Sequence, residues 1–291
     1  MSIDHSNQIV GPNYTITQFR DNMYKVVKFK NTIRSVSSLI NKVEKVRNSY
    51  ENKLDQSLSR SRRMILEKGL CNNWQYFVSL TLDPHKWDRT QLHTFYKDFS
   101  QWLRNERKNG LEISYLFVPE LHDDLESWHM HGFVSGNMQL VPFRDMAAAG
   151  HRLPSALLKG NYYNWPAYQE RYGFCSFGLI RDPIGSAFYA SKYVTKDSAK
   201  SVSDVGAHLY YCSQGLNIGQ KVADSYGFYP ELDQITNRDY AFCKVGYTDK
   251  RDGLEWCWGL DFDECSPLPM FDNPLPSGSF MEVMEQLNFD I

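Results

Sequence analysis

Nowhere in this chain does a run of apolar residues approach the ~18 that a membrane-spanning helix needs. The N-terminal MSIDHSNQIV lacks the basic-then-apolar order of a secretion signal. Both absences point to a soluble protein of the cell interior. The six cysteines, Cys71, Cys175, Cys212, Cys243, Cys257 and Cys265, never form a CxxC pair, which argues against a structural zinc knot or a disulfide framework. No GxxxxGK[ST] is present, so the chain carries no signature of an NTP-driven motor.

Net charge is also small, −2, but it is unevenly spread. From Arg20 to Lys68 there are 13 Lys/Arg against 5 Asp/Glu, and from Arg251 to Ile291 a single Arg against 9 acids. A polyanion is drawn to the first region and repelled by the last. Arg60, Arg62 and Arg63 cluster where that basic stretch is densest, and they are candidate contacts to DNA phosphates.

Residues 1–30 carry no single periodicity. From Thr32 to Lys68, apolar residues at Ile33, Val36, Ile40, Val43, Leu54 and Leu58 step by three and four, predicting one long helix or two in succession. YFVSLTLD (76–83) alternates as a strand. Asp88 is placed to cap a helix to Asn109 that buries Leu92, Phe95, Phe99, Trp102 and Leu103, with Gly110 closing it. ISYLFVPEL and WHMHGFVSG then read as a hairpin joined by the polar HDDLES. The proline- and aromatic-rich 137–172 suggests short helices and loops, GFCSFGLI (173–180) a strand, and AHLYYCS (207–213) another. Asp182–Pro183 starts a helix expected to reach about Ser198. This order is α+β: a central antiparallel sheet with helices packed on it. The expected division is a basic, largely helical region at 1–70, a catalytic domain at 71–215, an extension at 216–258 packed on it, and an acidic, proline-rich tail at 259–291.

Two constellations carry chemistry. In a strand, positions two apart share a face, so His129 and His131 point together while Met130 and Val134 point away. If the hairpin folds about Asp124–Leu125, Glu120 lies opposite His129 and completes a mixed nitrogen/oxygen site. Such a site suits Mg²⁺ or Mn²⁺ held jointly with a phosphate and would also accept Zn²⁺. His122 is the rival third ligand. In YASKYVTK, Tyr189 and Tyr193 are i and i+4 on one helix face, each followed three residues later by a lysine, Lys192 and Lys196. A tyrosine hydroxyl is a weak nucleophile at neutral pH and needs a polarised electrophile, which a cation-bound phosphate provides. The lysines would steady phosphate or a developing phenolate.

A strand such as FVSLTL, then histidine–hydrophobic–histidine, then the doubled tyrosine motif, in that order over about Trp74–Gln214, resembles the HUH endonuclease superfamily. The doubled tyrosine motif is similar to that of rolling-circle replication initiators of single-stranded DNA phages and some plasmids. The resemblance implies Mg²⁺ or Mn²⁺ on His129, His131 and a third ligand, with Tyr189 and Tyr193 as nucleophiles. It further implies a nick in single-stranded or hairpin origin DNA through a 5′-phosphotyrosine, in the cytoplasm of a bacterial host. A separate host helicase and a DNA polymerase would then be partners. A transposase or relaxase would use the same site. A metal-dependent hydrolase or a non-catalytic DNA-binding protein are the readings from other classes.

Overall fold

The computed structural model describes residues 2–4, 8–20, 23–31, 33–35, 50–122, 124, 126–194, 208–236, 238–239 and 243–248. Among them the strands before the first helix are β1 (Ser2–Asp4), β2 (Gln8–Val10), β3 (Tyr14–Arg20), β4 (Met23–Phe29) and β5 (Ile33–Ser35). The next seven are β6 (Tyr76–Thr81), β7 (Ile113–Leu121), β8 (Trp128–Gly136), β9 (Val141–Pro142), β10 (Tyr162–Asn164), β11 (Cys175–Leu179) and β12 (Tyr211–Cys212). β13 (Gln220–Ser225), β14 (Arg238–Asp239) and β15 (Cys243–Thr248) follow. The helices are α1 (Tyr50–Leu70), α2 (Leu92–Lys108), α3 (Phe143–Ala148), α4 (Ser155–Lys159), α5 (Pro166–Arg171), α6 (Pro183–Lys192) and α7 (Pro230–Ile235).

Leu54–Leu216 form one compact unit, built on a seven-stranded antiparallel sheet in the order β12-β7-β8-β6-β11-β10-β9. Strand alternation divides its side chains between two faces. Val78, Leu80, Phe117, Met130, Val134 and Phe177 face α2, whose Leu92, Phe95, Phe99, Trp102 and Leu103 fill the core against them. The expected helix face is therefore the observed one. Its start is not: Asp88 turns back to accept from Thr90 N and Thr90 Oγ1 at 2.9 and 2.7 Å, and the helix begins four residues later without a side-chain cap. A short hydroxyl neighbour competes for the carboxylate before the helix can claim it.

The other face carries α1 and α6, which approach closely where Gly69 meets Ala187. A Cβ on Gly69 would stand 2.9 Å from the Ala187 Cβ. α6 starts as expected, with Asp182 Oδ1 accepting from Gly185 N at 2.9 Å and Pro183 in the first turn. It ends at Lys192, six residues short of the expected Ser198, and residues 195–200 lie outside the described residues.

The described residues before Lys53 and after Asn217 form the second unit. Its five-stranded sheet runs β13-β3-β4-β15-β14, with Tyr14, Ile16, Tyr24, Val26, Ala223 and Leu232 in its core. Three departures from the sequence reading follow. Residues 14–29 are a hairpin, and Ile33–Ser35 pairs with β2, so helix is described only from Tyr50 onward. The 216–258 extension pairs with the N-terminal hairpin, through β13 with β3 and β15 with β4, where it was expected on the catalytic domain. Helix α1 from Leu54 belongs with the seven-stranded sheet, because Ile65, Leu66 and Leu70 are buried in that unit. The acidic tail lies outside the described residues. Among the described residues no helix is long and apolar enough to cross a membrane.

Candidate metal centre and tyrosine pair

The hairpin places the three candidate ligands. β7 and β8 pair from Ile113↔Gly136 to Leu121↔Trp128, which sets Glu120 opposite His129 and Val118 opposite His131. Gly132 lets the two strands close at this point, since a Cβ there would collide with the Leu116 carbonyl. Beyond Glu120 the turn is held by Asp124, whose Oδ1 accepts from Glu126 N and Ser127 N at 3.0 and 2.8 Å. Glu120 Oε2 consequently lies 2.7 Å from His129 Nε2 and 2.9 Å from His131 Nε2, and the two nitrogens are 3.1 Å apart.

Three donor atoms converging on one point is what a cation site requires. Contacts of 2.7–3.1 Å among the three atoms put all of them within reach of a single cation. The donor set, two imidazoles and a carboxylate, fits a divalent cation. All three residues are half-buried, and among the described residues they are the group able to hold a metal. His122, the rival ligand, packs its ring 4.6 Å from that of His129 but contributes no atom to this group.

Electrostatics agree with the geometry. Burial alone would raise the Glu120 carboxyl, but hydrogen bonds from the His129 and His131 rings outweigh it and hold the group down at about 2. Glu120 is therefore an anion at any physiological pH. His131 is also gripped from behind: its Nδ1 shares a 2.8 Å hydrogen bond with Ser79 Oγ, across the β6–β8 ladder. With Nδ1 occupied, Nε2 is the nitrogen turned to the centre. Ser79 was not singled out in the sequence, although it sits on the polar side of the alternating FVSLTL.

Helix α6 brings the tyrosines to this centre unequally. Tyr193 is 9% exposed, its ring parallel to that of His131 (10°, centroids 4.4 Å apart). Tyr189 is 51% exposed, lies edge-on to Tyr193 at 5.1 Å, and packs on Phe77 at 5.6 Å. Burial first, then a hydrogen bond with Tyr189 and the charge of Glu120, push the Tyr193 phenol above the ordinary tyrosine value. Lys192 is exposed on the last turn of α6, and Lys196 lies outside the described residues.

The three arginines of α1 part company. Arg60 and Arg63 are exposed, the latter 3.6 Å from Glu67 Oε1. Half-buried Arg62 turns inward and donates from Nε to the Val194 carbonyl at 2.9 Å. That carbonyl directly follows Tyr193, so a guanidinium caps the end of the tyrosine helix.

Residues 75–198, a little under half of the chain, match a family described as Replication-associated protein ORF2. The matched segment contains Ser79, Glu120, His129, His131, Tyr189 and Tyr193, and the match supports a role in initiating replication. Neither the curated proteins nor the solved structures yield a match.

Proposed function

We propose that the chain initiates rolling-circle DNA replication by nicking and rejoining one strand at an origin through a covalent 5′-phosphotyrosine. The reading rests above all on Tyr193 stacked against His131, a nucleophile beside the group that would hold a cation. Bound there by Glu120, His129 and His131, Mg²⁺ or Mn²⁺ would supply positive charge to a scissile phosphate and to a developing phenolate.

Tyr193 attacks first in this scheme, because it is the nearer tyrosine and its backbone is held by Arg62. Its hydroxyl oxygen bonds to phosphorus as the bond to the 3′ oxygen breaks, and the proton that the phenol gives up passes to the leaving oxygen, which becomes the priming hydroxyl. Tyr189, whose hydroxyl shares a hydrogen bond with that of Tyr193, accepts the regenerated junction later. Lys192 and Lys196 serve non-bridging phosphate oxygens. Arg60 and Arg63 grip flanking phosphates without reading sequence. Origin DNA, single-stranded or as a hairpin, is the substrate in the host cytoplasm, with a host helicase and polymerase continuing the work.

Incubation with labelled single-stranded DNA and Mn²⁺, followed by a denaturing gel, tests the scheme. A protein–DNA adduct is expected, abolished by chelator and by the double substitution Tyr189→Phe/Tyr193→Phe. Cleaved DNA without an adduct would mean a hydrolase, and bound but intact DNA a binding protein; either overturns the proposal.

A further inference from the structure

The face of the sheet that carries the candidate metal ligands also carries two exposed aromatic rings with no part in the chemistry above. Phe174, Ser176 and Gly178 alternate with Cys175 and Phe177, which are buried in the core under α2, so the first three face the metal centre's side. The ladder fixes their neighbours. The Phe174 carbonyl accepts from Thr81 N at 2.8 Å, and Thr81 pairs with His129. Ser176 pairs with Ser79, which pairs with His131. Gly178 pairs with Phe77 on one side and Tyr162 on the other. Across three strands, then, a floor of short hydroxyl side chains leads away from the histidines. Phe174, just before β11, stands at one margin and Tyr162 at the other, with Phe174 and Gly178 about 13 Å apart along the extended chain.

Both rings are held in place. Opposite edges of the Tyr162 ring lie against Gly160 and Gly178, and a Cβ on Gly178 would stand 2.8 Å from Tyr162 Cε1. Phe174 stacks on buried Phe143 at 5.9 Å and 11°. Each ring is nonetheless 39% exposed. A fixed, solvent-facing ring offers a stacking surface with little side-chain entropy left to lose.

We infer that Tyr162 and Phe174 are stacking platforms of a subsite for unpaired DNA bases, receiving the nucleotides that lead away from the phosphate to be cut. The occupant follows from continuity. The strip shares β6 and β8 with the metal centre, so a strand entering that centre along the sheet crosses it. Its aromatic margins can stack bases only when these are unpaired, which selects single-stranded over duplex DNA. The assignment rests on the nicking reading for its substrate.

Binding can be measured without the chemistry. With chelator present, labelled oligothymidylate and a duplex of equal length are titrated into the full chain and followed by fluorescence anisotropy. Tyr162→Ala and Phe174→Ala are each expected to weaken oligothymidylate binding about tenfold, Tyr162→Phe to bind as the parent, and duplex affinity to stay unchanged. Should Phe174→Ala unfold, Phe174→Leu keeps apolar bulk without the ring and is expected to bind as weakly. Oligothymidylate affinity within about twofold of the parent in both ring-removed variants overturns the subsite, as does an equal loss for duplex. The two readings separate cleanly. Loss of binding in a protein that forms no adduct leaves the subsite and removes the nicking, and an adduct-forming protein with unimpaired variants does the reverse.

Discussion

The ring of Tyr193 lies parallel to that of His131, with 4.4 Å between centroids and 10° between planes. A tyrosine so placed covers a candidate ligand histidine, whereas its partner four residues earlier is half open to solvent. The two hydroxyls are therefore unequal before any DNA arrives.

That inequality is testable one tyrosine at a time. Tyr193→Phe is expected to slow formation of the first adduct by at least about a thousandfold, the scale on which removal of a nucleophile is felt. Tyr189→Phe is expected to form that adduct at nearly the parental rate and to fail at the second transfer. Peptide mapping of the adduct identifies the joined residue, and equal use of both tyrosines in the parent would contradict the order.

Ser79 acts on the centre through His131. Removing the partner of a metal-binding imidazole commonly costs roughly 10- to 100-fold in affinity, so Ser79→Ala should weaken Mn²⁺ binding by roughly tenfold. Calorimetric titration reads this directly. Ser79→Thr, which keeps the hydroxyl, should restore most of the loss while the thermal midpoint of both variants stays close to the parent.

Arg62 connects two otherwise separate stretches of chain, 132 residues apart. Its substitution by alanine leaves the Val194 carbonyl without that donor and is expected to cost about 1–3 kcal/mol in stability. The sharper readout is kinetic. A loosened helix end should lower kcat for adduct formation while KM for oligonucleotide holds, and Arg62→Lys should recover only part, since an ammonium lacks the planar fork. A change confined to KM would assign Arg62 to DNA instead.

Cys175 sets a limit at alkaline pH. Burial pushes its thiol up to about 12, against 9.0 for a free thiol, while the Trp165 amide pulls slightly the other way. A group raised in the folded state stays protonated there while the unfolded chain gives up its proton. Stability is thus intact below about pH 9 and is lost as pH climbs towards 12, by about 1.4 kcal/mol per pH unit. Cys175→Ser keeps the hydrogen bonds to Asn164 and Trp165 but does not titrate. Urea melts at stepped pH should show a shallower alkaline decline for this variant than for the parent.

Much of the centre is legible in the chain because it is local. Alternation on both sides of HDDLES and a short polar turn suffice to set Glu120 against His129, and a three-and-four step suffices to choose the buried face of α2. What stays hidden is long-range. β3 and β13 are about two hundred residues apart, and pairing between such segments leaves no mark on either of them. Ser79 is one hydroxyl among many until the ladder aligns it with His131. Arg62 looks like its neighbours on charge alone, because a guanidinium aimed at a carbonyl and one aimed at a phosphate have the same letter. The short α6 is a related case: the helical pattern continues past Lys192, but the described helix ends there, with Arg62 bonded to the Val194 carbonyl just beyond it.

The hairpin also bears on the order of assembly. Only nine residues separate Glu120 from His129, whereas about sixty separate His131 from Tyr193. Loop-closure entropy favours the shorter connection by about 1.7 kcal/mol. The hairpin can therefore close and bring Glu120 to the two histidines before Tyr193 comes into reach. On the proposed function, the hairpin would take up a cation while the chain is still unable to cut, and competence to break DNA would wait until α6 has docked.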